Sequence, residues 1–375
     1  MAGSSIGTIF RITTWGESHG KAIGVVIDGC PAGLSLSESD IQPYLDRRKP
    51  GQSKFSTPRK EDDEIEILSG VFEGKTTGTP ISMLLYNTSQ HSKDYSEIAS
   101  YYRPGHADFT FDAKYGFRDY RGGGRSSGRE TAARVAAGAV AIKILEQLGI
   151  SVNAYTRSIG DICINPDNFN IEEINNNMLY MPDADAANEA GKLIETVSLD
   201  KDSIGGSIEC VIHNVPIGIG DPVFEKLDAN LAKAIMSIGA VKGVEIGDGI
   251  KVSTKKGSEN NDAFCLDENK AVTKKTNHAG GILGGISDGS DIIVRAAFKA
   301  TPSIFKEQDT VNKHGEEISI AIKGRHDPVI VPRAVVVVEA MTAITLVDAL
   351  LLNMAATMDN IKKCLRHINS PAPQS

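Results

Sequence analysis

Apolar and polar positions alternate along this chain with two different periods, and each change of period marks an element. Between residues 132 and 148, Ala132, Val135, Ala136, Ala139, Val140, Ile142, Leu145 and Leu148 recur every three or four positions. That spacing predicts a helix with one broad apolar face, stopped by Gly149. Ser127 and Glu130 precede it in S-x-x-E spacing, which predicts a capping box. Near the N-terminus, residues 7–14 and 22–28 are β-branched runs around the glycine-bounded turn WGESHG, the pattern of a hairpin. LSESDIQPYLDRRK predicts a helix with Ser37 as N-cap, ending near Lys49 because Pro50 and Gly51 follow.

Residues 184–197 and 224–236 have helical spacing, and 207–215, 291–298 and 317–322 read as strands. Two regions lack a period. Residues 86–124 are rich in Tyr, His, Gly and Asp and are predicted to be a long functional loop; 255–277 is Lys- and Asn-rich and is predicted to be a mobile one. Strands and helices come in clusters without a dividing linker or fixed repeat, which favours an α+β fold over a doubly wound parallel sheet. One domain is expected over residues 1–367, with 368–375 a disordered tail.

The most apolar stretch, 334–356, is interrupted by Glu339 and Asp348. Each charge would cost about 2.5–3.5 kcal/mol at a bilayer centre, so a helix buried in the fold or at a subunit interface is expected, not a membrane span. The first residues lack the basic start and apolar run of a secretory signal. Five cysteines in no CxxC pair exclude the common zinc and thioredoxin patterns and point to a reducing, cytoplasmic setting with inert buried thiols. Hydrophobic residues make up 41% and charged residues 23%, ordinary for a globular protein. The net charge of −8 argues against general nucleic-acid binding.

Several motifs fail on spacing. GVFEGKT is one residue short of a phosphate-cradling P-loop, and neither GGILGG nor RGGGRSSG gives GxGxxG after a clear strand. HExxH and carboxylates at metal spacing are absent, so no metal is expected.

Against the acidic background, basic residues concentrate in two places. Residues 47–60 hold six basic side chains and no acid; residues 103–134 hold six arginines and one lysine against four acids. A charge run is commonly a solvated face. The second run, however, sits at the start of the predicted helix, where free amides and the helix dipole attract anions. Gly122–Gly124 allow close backbone approach, Ser126 and Ser127 offer hydroxyls, and Arg125 and Arg129 offer planar forks suited to phosphate or carboxylate. Capping accounts for one serine but not for the arginines, so a phosphate-bearing ligand is expected here. His19, His106 and His326 lie on turns beside glycine or arginine, the setting of an acid–base group; His91, His213, His314 and His367 lack it and read as structural. Asp327, beside His326, is equally a carboxylate base or a turn residue before Pro328.

Five separated stretches now resemble one family. GESHGKAIGVVIDGCPAG, GRSSGRETAARVAAGAVA, VKGVEIGDG, NHAGGILGGISDG and GRHDPVIVPRAVVVVEAM are similar, in this order, to signature regions of chorismate synthases, and the likeness runs from about residue 7 to 352. The resemblance implies a β-α-β sandwich with helices between two antiparallel sheets, assembled as a homotetramer. It implies a carbon–oxygen lyase of the shikimate pathway, converting 5-enolpyruvylshikimate 3-phosphate to chorismate and phosphate by anti 1,4-elimination. It also implies reduced FMN without net redox change, with NADPH as a possible reductant.

By position, the resemblance implies flavin contacts at Arg125, Ser126, Ser127, Gly239, Ala240, Gly284, Lys299, Ala300, Thr301, Pro302, Ser303 and Arg325. Arg48 and Lys54 would bind NADPH or substrate, and Arg129 and Arg134 substrate. His19 would protonate the departing phosphate, His106 would act as acid toward the reduced flavin, and Asp327 would help remove the ring proton. KATPS departs from the family's usual Lys-Pro-Thr-Ser-Ser, and Gly239 stands where many members have Asn. Two other readings compete: an NADPH-consuming flavin oxidoreductase and a non-catalytic anion-binding assembly protein. Histidines and arginines clustered on glycine turns argue against the latter.

Overall fold

A computed structural model describes residues 3–51, 55, 63–87, 97–322 and 327–368. The N-terminal hairpin opens a five-stranded sheet of β1 (Ser5–Ile6), β2 (Arg11–Gly16), β3 (Ala22–Asp28), β4 (Glu66–Ile67) and β5 (Ile81–Tyr86), in the order β1-β2-β3-β5-β4. A second sheet contains β6 (Ser151–Ile159), β7 (Ile162–Cys163), β8 (Gly206–His213), β9 (Val241–Ile246) and β10 (Ile292–Phe298), ordered β9-β10-β8-β6-β7. Every pairing in both sheets is antiparallel. The helices are α1 (Glu38–Arg48), α2 (Asp108–Tyr115), α3 (Thr131–Gln147), α4 (Ala184–Leu199), α5 (Leu227–Met236), α6 (Val331–Asn353) and α7 (Met358–Ile368), with a single turn at Gly257–Asn260.

Helices α3 and α6 lie side by side between the sheets. Helix α3 meets β2, β3 and β5 of the first, and α6 meets β6 and β8 of the second. Gly138 lets them approach closely: a Cβ there would stand 2.2 Å from Ala340 Cβ. Apolar side chains cover α6 on all sides, as expected of a helix buried all round. Both charges that interrupt it are satisfied. Glu339 takes two hydrogen bonds from Arg47 and one from Ala154 N, and Asp348 accepts from the amides of Thr8, Ile9 and Phe10. That triple contact draws residues 8–10 away from the sheet, which is why β2 begins at Arg11 and not at residue 7.

The structure corrects four expectations. Ser127 accepts from Arg129 N within a 3-10 turn, while the Glu130 carboxylate turns to Thr14 and Arg134, so no capping box forms there and α3 begins at Thr131. Residues 86–124 contain α2, held by ion pairs from Arg103 and Arg118 that no local period announces. The 255–277 region is built around a hairpin of Phe264–Leu266 and Val272–Lys274, with the buried Lys274 ammonium 2.6 Å from Asp288 and 3.5 Å from Asp262. Its polar composition conceals an inward-facing charge cluster. Cys30 and Cys210 are buried with their thiols pushed upward by desolvation, Cys30 to about 11, but Cys163 and Cys364 are exposed.

Candidate active site

The turn between β2 and β3 carries His19, which is buried against the glycine run that leads into α3. Gly122 has φ +69, and a Cβ there would lie 2.1 Å from His19 Cε1. Glycine is therefore required on two counts, the left-handed backbone and the contact with the imidazole. Ser18 Oγ lies 3.2 Å from His19 Nδ1 and donates to Gly122 O at 3.2 Å. Asn87, at the end of β5, closes the same turn: its Nδ2 donates to Glu17 O and Gly20 O, and its Oδ1 accepts from Arg129 Nε at 3.0 Å.

Arg129 also pairs with Asp63, and Asp63 Oδ2 accepts from Arg48 Nη2 at 2.7 Å. All three side chains are buried. Despite the cost of burial, the two guanidinium groups hold the Asp63 carboxyl below the usual carboxylate range. Burial, with Arg333 and Arg129 close by, brings Arg48 down to about 10. Arg333 donates to Arg48 O and pairs with Asp327, which joins Asp327 to the same network. Thus a relay of hydrogen bonds and ion pairs runs from the His19 turn through Asn87, Arg129, Asp63, Arg48 and Arg333 to Asp327.

The arginines at the helix mouth are used differently from the sequence expectation. Arg125 donates to Gly16 O and to Thr14 O and Oγ1, bracing β2. Arg134 donates to Glu130 and to Ser237 Oγ. Ser126 Oγ donates back to Gly123 O. These groups shape the helix entrance, and the guanidinium forks engage protein before any ligand arrives.

A second group forms around His106. Its Nδ1 lies 3.0 Å from Pro104 O and its Nε2 2.9 Å from Ser303 Oγ. A carbonyl only accepts, so Nδ1 carries the proton and Nε2 accepts from the serine hydroxyl. Burial and the positive charges of Arg103 and Lys299 bring His106 down to about 4, so it is neutral near pH 7. The turn is clamped by Asp108, which accepts from Arg103 N, Nε and Nη2. Lys299 donates to Gly105 O, and a Cβ on Gly105 would press to 2.7 Å from Pro302 Cβ. Lys299 N donates to Ala240 O, placing Ala240, with its φ of +73, beside this group.

Two hydrogen bonds tie the groups together: Ser203 Oγ to Thr301 O at 2.6 Å, and Ile204 N to Pro328 O at 2.9 Å. Arg134 adds a link through Ser237, two residues before Gly239. Gly284 stands apart. Leu227 N donates to neighbouring Gly285 O at the start of α5, whereas Gly239 follows the end of that helix, about 15 Å away at 1.5 Å per residue. Lys54, Arg325, His326 and His91 lie outside the described residues. Asp63 and Asn87 were missed by sequence reasoning. Asn87 had one signal, a polar residue directly after the apolar strand ISMLLY; Asp63 lay unremarked in an acidic run. A separate cavity of about 220 Å³, lined by Tyr44, Arg47, Glu146 and Glu339 among others, shares none of the predicted residues.

The chorismate synthase family model matches residues 10–351, a span that contains every group just described. This chain belongs to the chorismate synthase family. It is 68% identical over 361 residues to the chorismate synthase of Agathobacter rectalis, covering 96% of this chain and 98% of that one. It is 66% identical over 366 residues to that of Lachnospira eligens, covering 98% and 100%. A solved chorismate synthase crystal structure superposes with a TM-score of 0.75 at 34% identity, covering 97% of this chain and 98% of the other. The α+β architecture, with helices between antiparallel sheets, agrees with that likeness. As a chorismate synthase, the protein is a carbon–oxygen lyase of aromatic biosynthesis, and it eliminates phosphate from 5-enolpyruvylshikimate 3-phosphate to give chorismate. The oxidoreductase reading is not favoured.

Proposed function

We propose that the joined His19 and His106 groups form the catalytic pocket and that the elimination there requires reduced FMN, with NADPH as its reductant. The observation that carries this reading is that His19, Arg48 and Arg129 are held at the glycine-opened entrance of α3 and that Arg333 links Arg48 to Asp327. A net anion is best held where cations are already fixed. Arg48, Arg129 and Arg134, with Lys54, are assigned to the phosphate and carboxylates of the substrate or to NADPH. His19 donates a proton to the departing phosphate oxygen. Asp327, oriented by Arg333, assists removal of the ring proton.

The second group suits a flavin. Thr301 Oγ1 is buried without a hydrogen-bond partner among the described residues, and a Cβ on Gly239 would meet nothing within 4 Å. A buried donor with an unmet hydrogen bond is what a bound polar group would satisfy. Reduced FMN, when bound, supplies the electron-rich ring that supports loss of phosphate without net redox change. Ser126, Ser127, Lys299–Ser303, Ala240 and Arg325 are assigned to holding it, with Arg125 acting through its brace on β2. Gly284, a helix length from Gly239 within one chain, is assigned to the flavin as well. His106 is neutral as it stands, and its role as acid requires an adjoining negative charge to raise its pKa. We further assign the chain to the cytoplasm as a homotetramer with one domain over residues 1–367, acting on a small molecule and not on nucleic acid or membrane.

The test is an anaerobic assay with dithionite-reduced FMN and the enolpyruvyl substrate, following chorismate absorbance and phosphate release. One phosphate per chorismate with catalytic flavin is expected. Reductant consumed in proportion to product would overturn the reading.

A further inference from the structure

His106 and Ser303 stand 197 positions apart in the chain and meet through one hydrogen bond, Ser303 Oγ to His106 Nε2 at 2.9 Å. Other contacts set the register between their two segments. Lys299 Nζ donates to Gly105 O at 2.9 Å. Pro302 packs on Gly105, which has φ +70, so closely that a Cβ there would lie 2.7 Å from the proline Cβ. Arg103 and Asp108 close the turn that carries the imidazole, and Ser303 is buried against it.

Both ring nitrogens are therefore engaged. Nδ1 directs its proton to Pro104 O at 3.0 Å, a main-chain acceptor fixed by the turn. Proton exchange by this imidazole is left to Nε2, and Nε2 is capped by the serine hydroxyl. A hydroxyl can donate and accept at once. While Nε2 is bare, Ser303 donates to it. Once Nε2 carries a proton, Ser303 must accept, and its own O–H is released toward a second acceptor. The charged groups facing His106 are Arg103, Lys299 and Asp108. Burial and the two cations hold the ring neutral, near pKa 4, while Asp108 opposes them. Protonation at Nε2 and reversal of the Ser303 hydroxyl thus come together, when negative charge arrives in the pocket.

We infer that Ser303 is a further catalytic residue: its hydroxyl carries the proton between His106 Nε2 and the ligand in the adjoining pocket. The step balances as a shuttle. The imidazole gains a proton from solvent at Nε2. That Nε2–H bond breaks as a new Oγ–H bond forms, and the original Oγ–H proton passes to an acceptor atom of the bound flavin. The serine is neutral before and after, and the imidazole returns to its neutral Nδ1–H form. The inference rests on the pocket assignment above and adds to it the path by which His106 acts.

Ser303→Ala removes the hydroxyl, Ser303→Thr keeps it, and the double variant His106→Ala/Ser303→Ala removes both groups. With reduced FMN, kcat should fall about 10²-fold or more in Ser303→Ala and stay within about fivefold in Ser303→Thr. The double variant should be within about threefold of His106→Ala, because the serine acts together with the imidazole. A second readout needs no flavin: acylation of His106 by diethyl pyrocarbonate at neutral pH, followed by peptide mass spectrometry. The reagent attacks a bare imidazole nitrogen. Uncapping Nε2 in Ser303→Ala should speed the modification about fivefold, the equivalent of one hydrogen bond, with Ser303→Thr within about twofold of wild type. Three results each overturn the inference: kcat of Ser303→Ala within about threefold of wild type, losses that multiply in the double variant, or an unchanged acylation rate. If Ser303→Ala does not fold, Ser303→Cys, a weaker donor of similar size, is judged by the same criteria. If reduced FMN fails to support wild-type turnover while the acylation contrast holds, the pocket assignment is wrong and the shuttle falls with it. A failed contrast with flavin-dependent turnover intact overturns the shuttle alone.

Discussion

The His19 group and the His106 group solve opposite problems with neighbouring pieces of chain. At the mouth of α3 the chemistry is ionic and already paired: Arg129, Arg48 and Asp63 are buried together, and Arg125 and Arg134 are committed to protein acceptors. Around His106 the imidazole and its hydrogen-bond partner Ser303 are neutral, with the Arg103–Asp108 pair and Lys299 alongside. An imidazole near pKa 4 accepts from Ser303, a threonine hydroxyl lacks a partner among the described residues, and the backbone turns left-handed at Ala240. A region fixed by ion pairs can orient a charged ligand with little rearrangement. A neutral group or an unmet donor changes its protonation or bonding only when a ligand arrives.

The largest effect should come from breaking the neutral side. His106→Ala is expected to lower turnover about 10²–10⁴-fold, the range for a lost acid–base group. A loss below threefold in the reduced-FMN assay would remove His106 from the chemistry. On the ionic side, Arg129→Ala strands a buried carboxylate between fewer cations. Urea unfolding should show a stability loss of about 3–5 kcal/mol, the usual result of halving a buried pair.

The pH dependence sharpens the contrast. His106 is brought from 6.5 to about 4, so between those values the unfolded chain binds more protons than the folded one. Its contribution is complete above about pH 6.5 and is lost as pH falls toward 4, up to about 3 kcal/mol. Comparing wild type with His106→Ala at pH 7 and pH 4.5 by denaturant midpoint isolates it; parallel losses in both would assign the acid sensitivity elsewhere. The smallest effect on stability belongs to Thr301→Val. Its hydroxyl is unpaired among the described residues, so stability should stay within about 1 kcal/mol while FMN affinity weakens about fivefold. Unchanged FMN affinity in a titration would place the flavin away from Thr301.

Periodic elements were legible in the sequence because their signal is local. The α3 face, the N-terminal hairpin and the Ser37 start of α1 depend on residues a few positions apart, and all three form. The capping box failed for the opposite reason. Glu130 had a better partner in Thr14, 116 positions away, and that competition is invisible in a local window. Helix α2 and the 264–274 hairpin were missed because Arg118–Asp108 and Lys274–Asp288 pairs sustain them in place of apolar periodicity.

The sequence by itself determined the family, the helical and strand periods, and the presence of cations and histidines on glycine turns, since each of these is written in short contiguous stretches. Tertiary structure alone decided which charges cancel. Asp63 and Asn87 joined Arg48 and Arg129 only when folding brought residues 48, 63, 87 and 129 into one hydrogen-bonded network, and Thr14 met Glu130 in the same way. Charge pairing depends on distance and burial, and neither is encoded at any fixed separation along the chain.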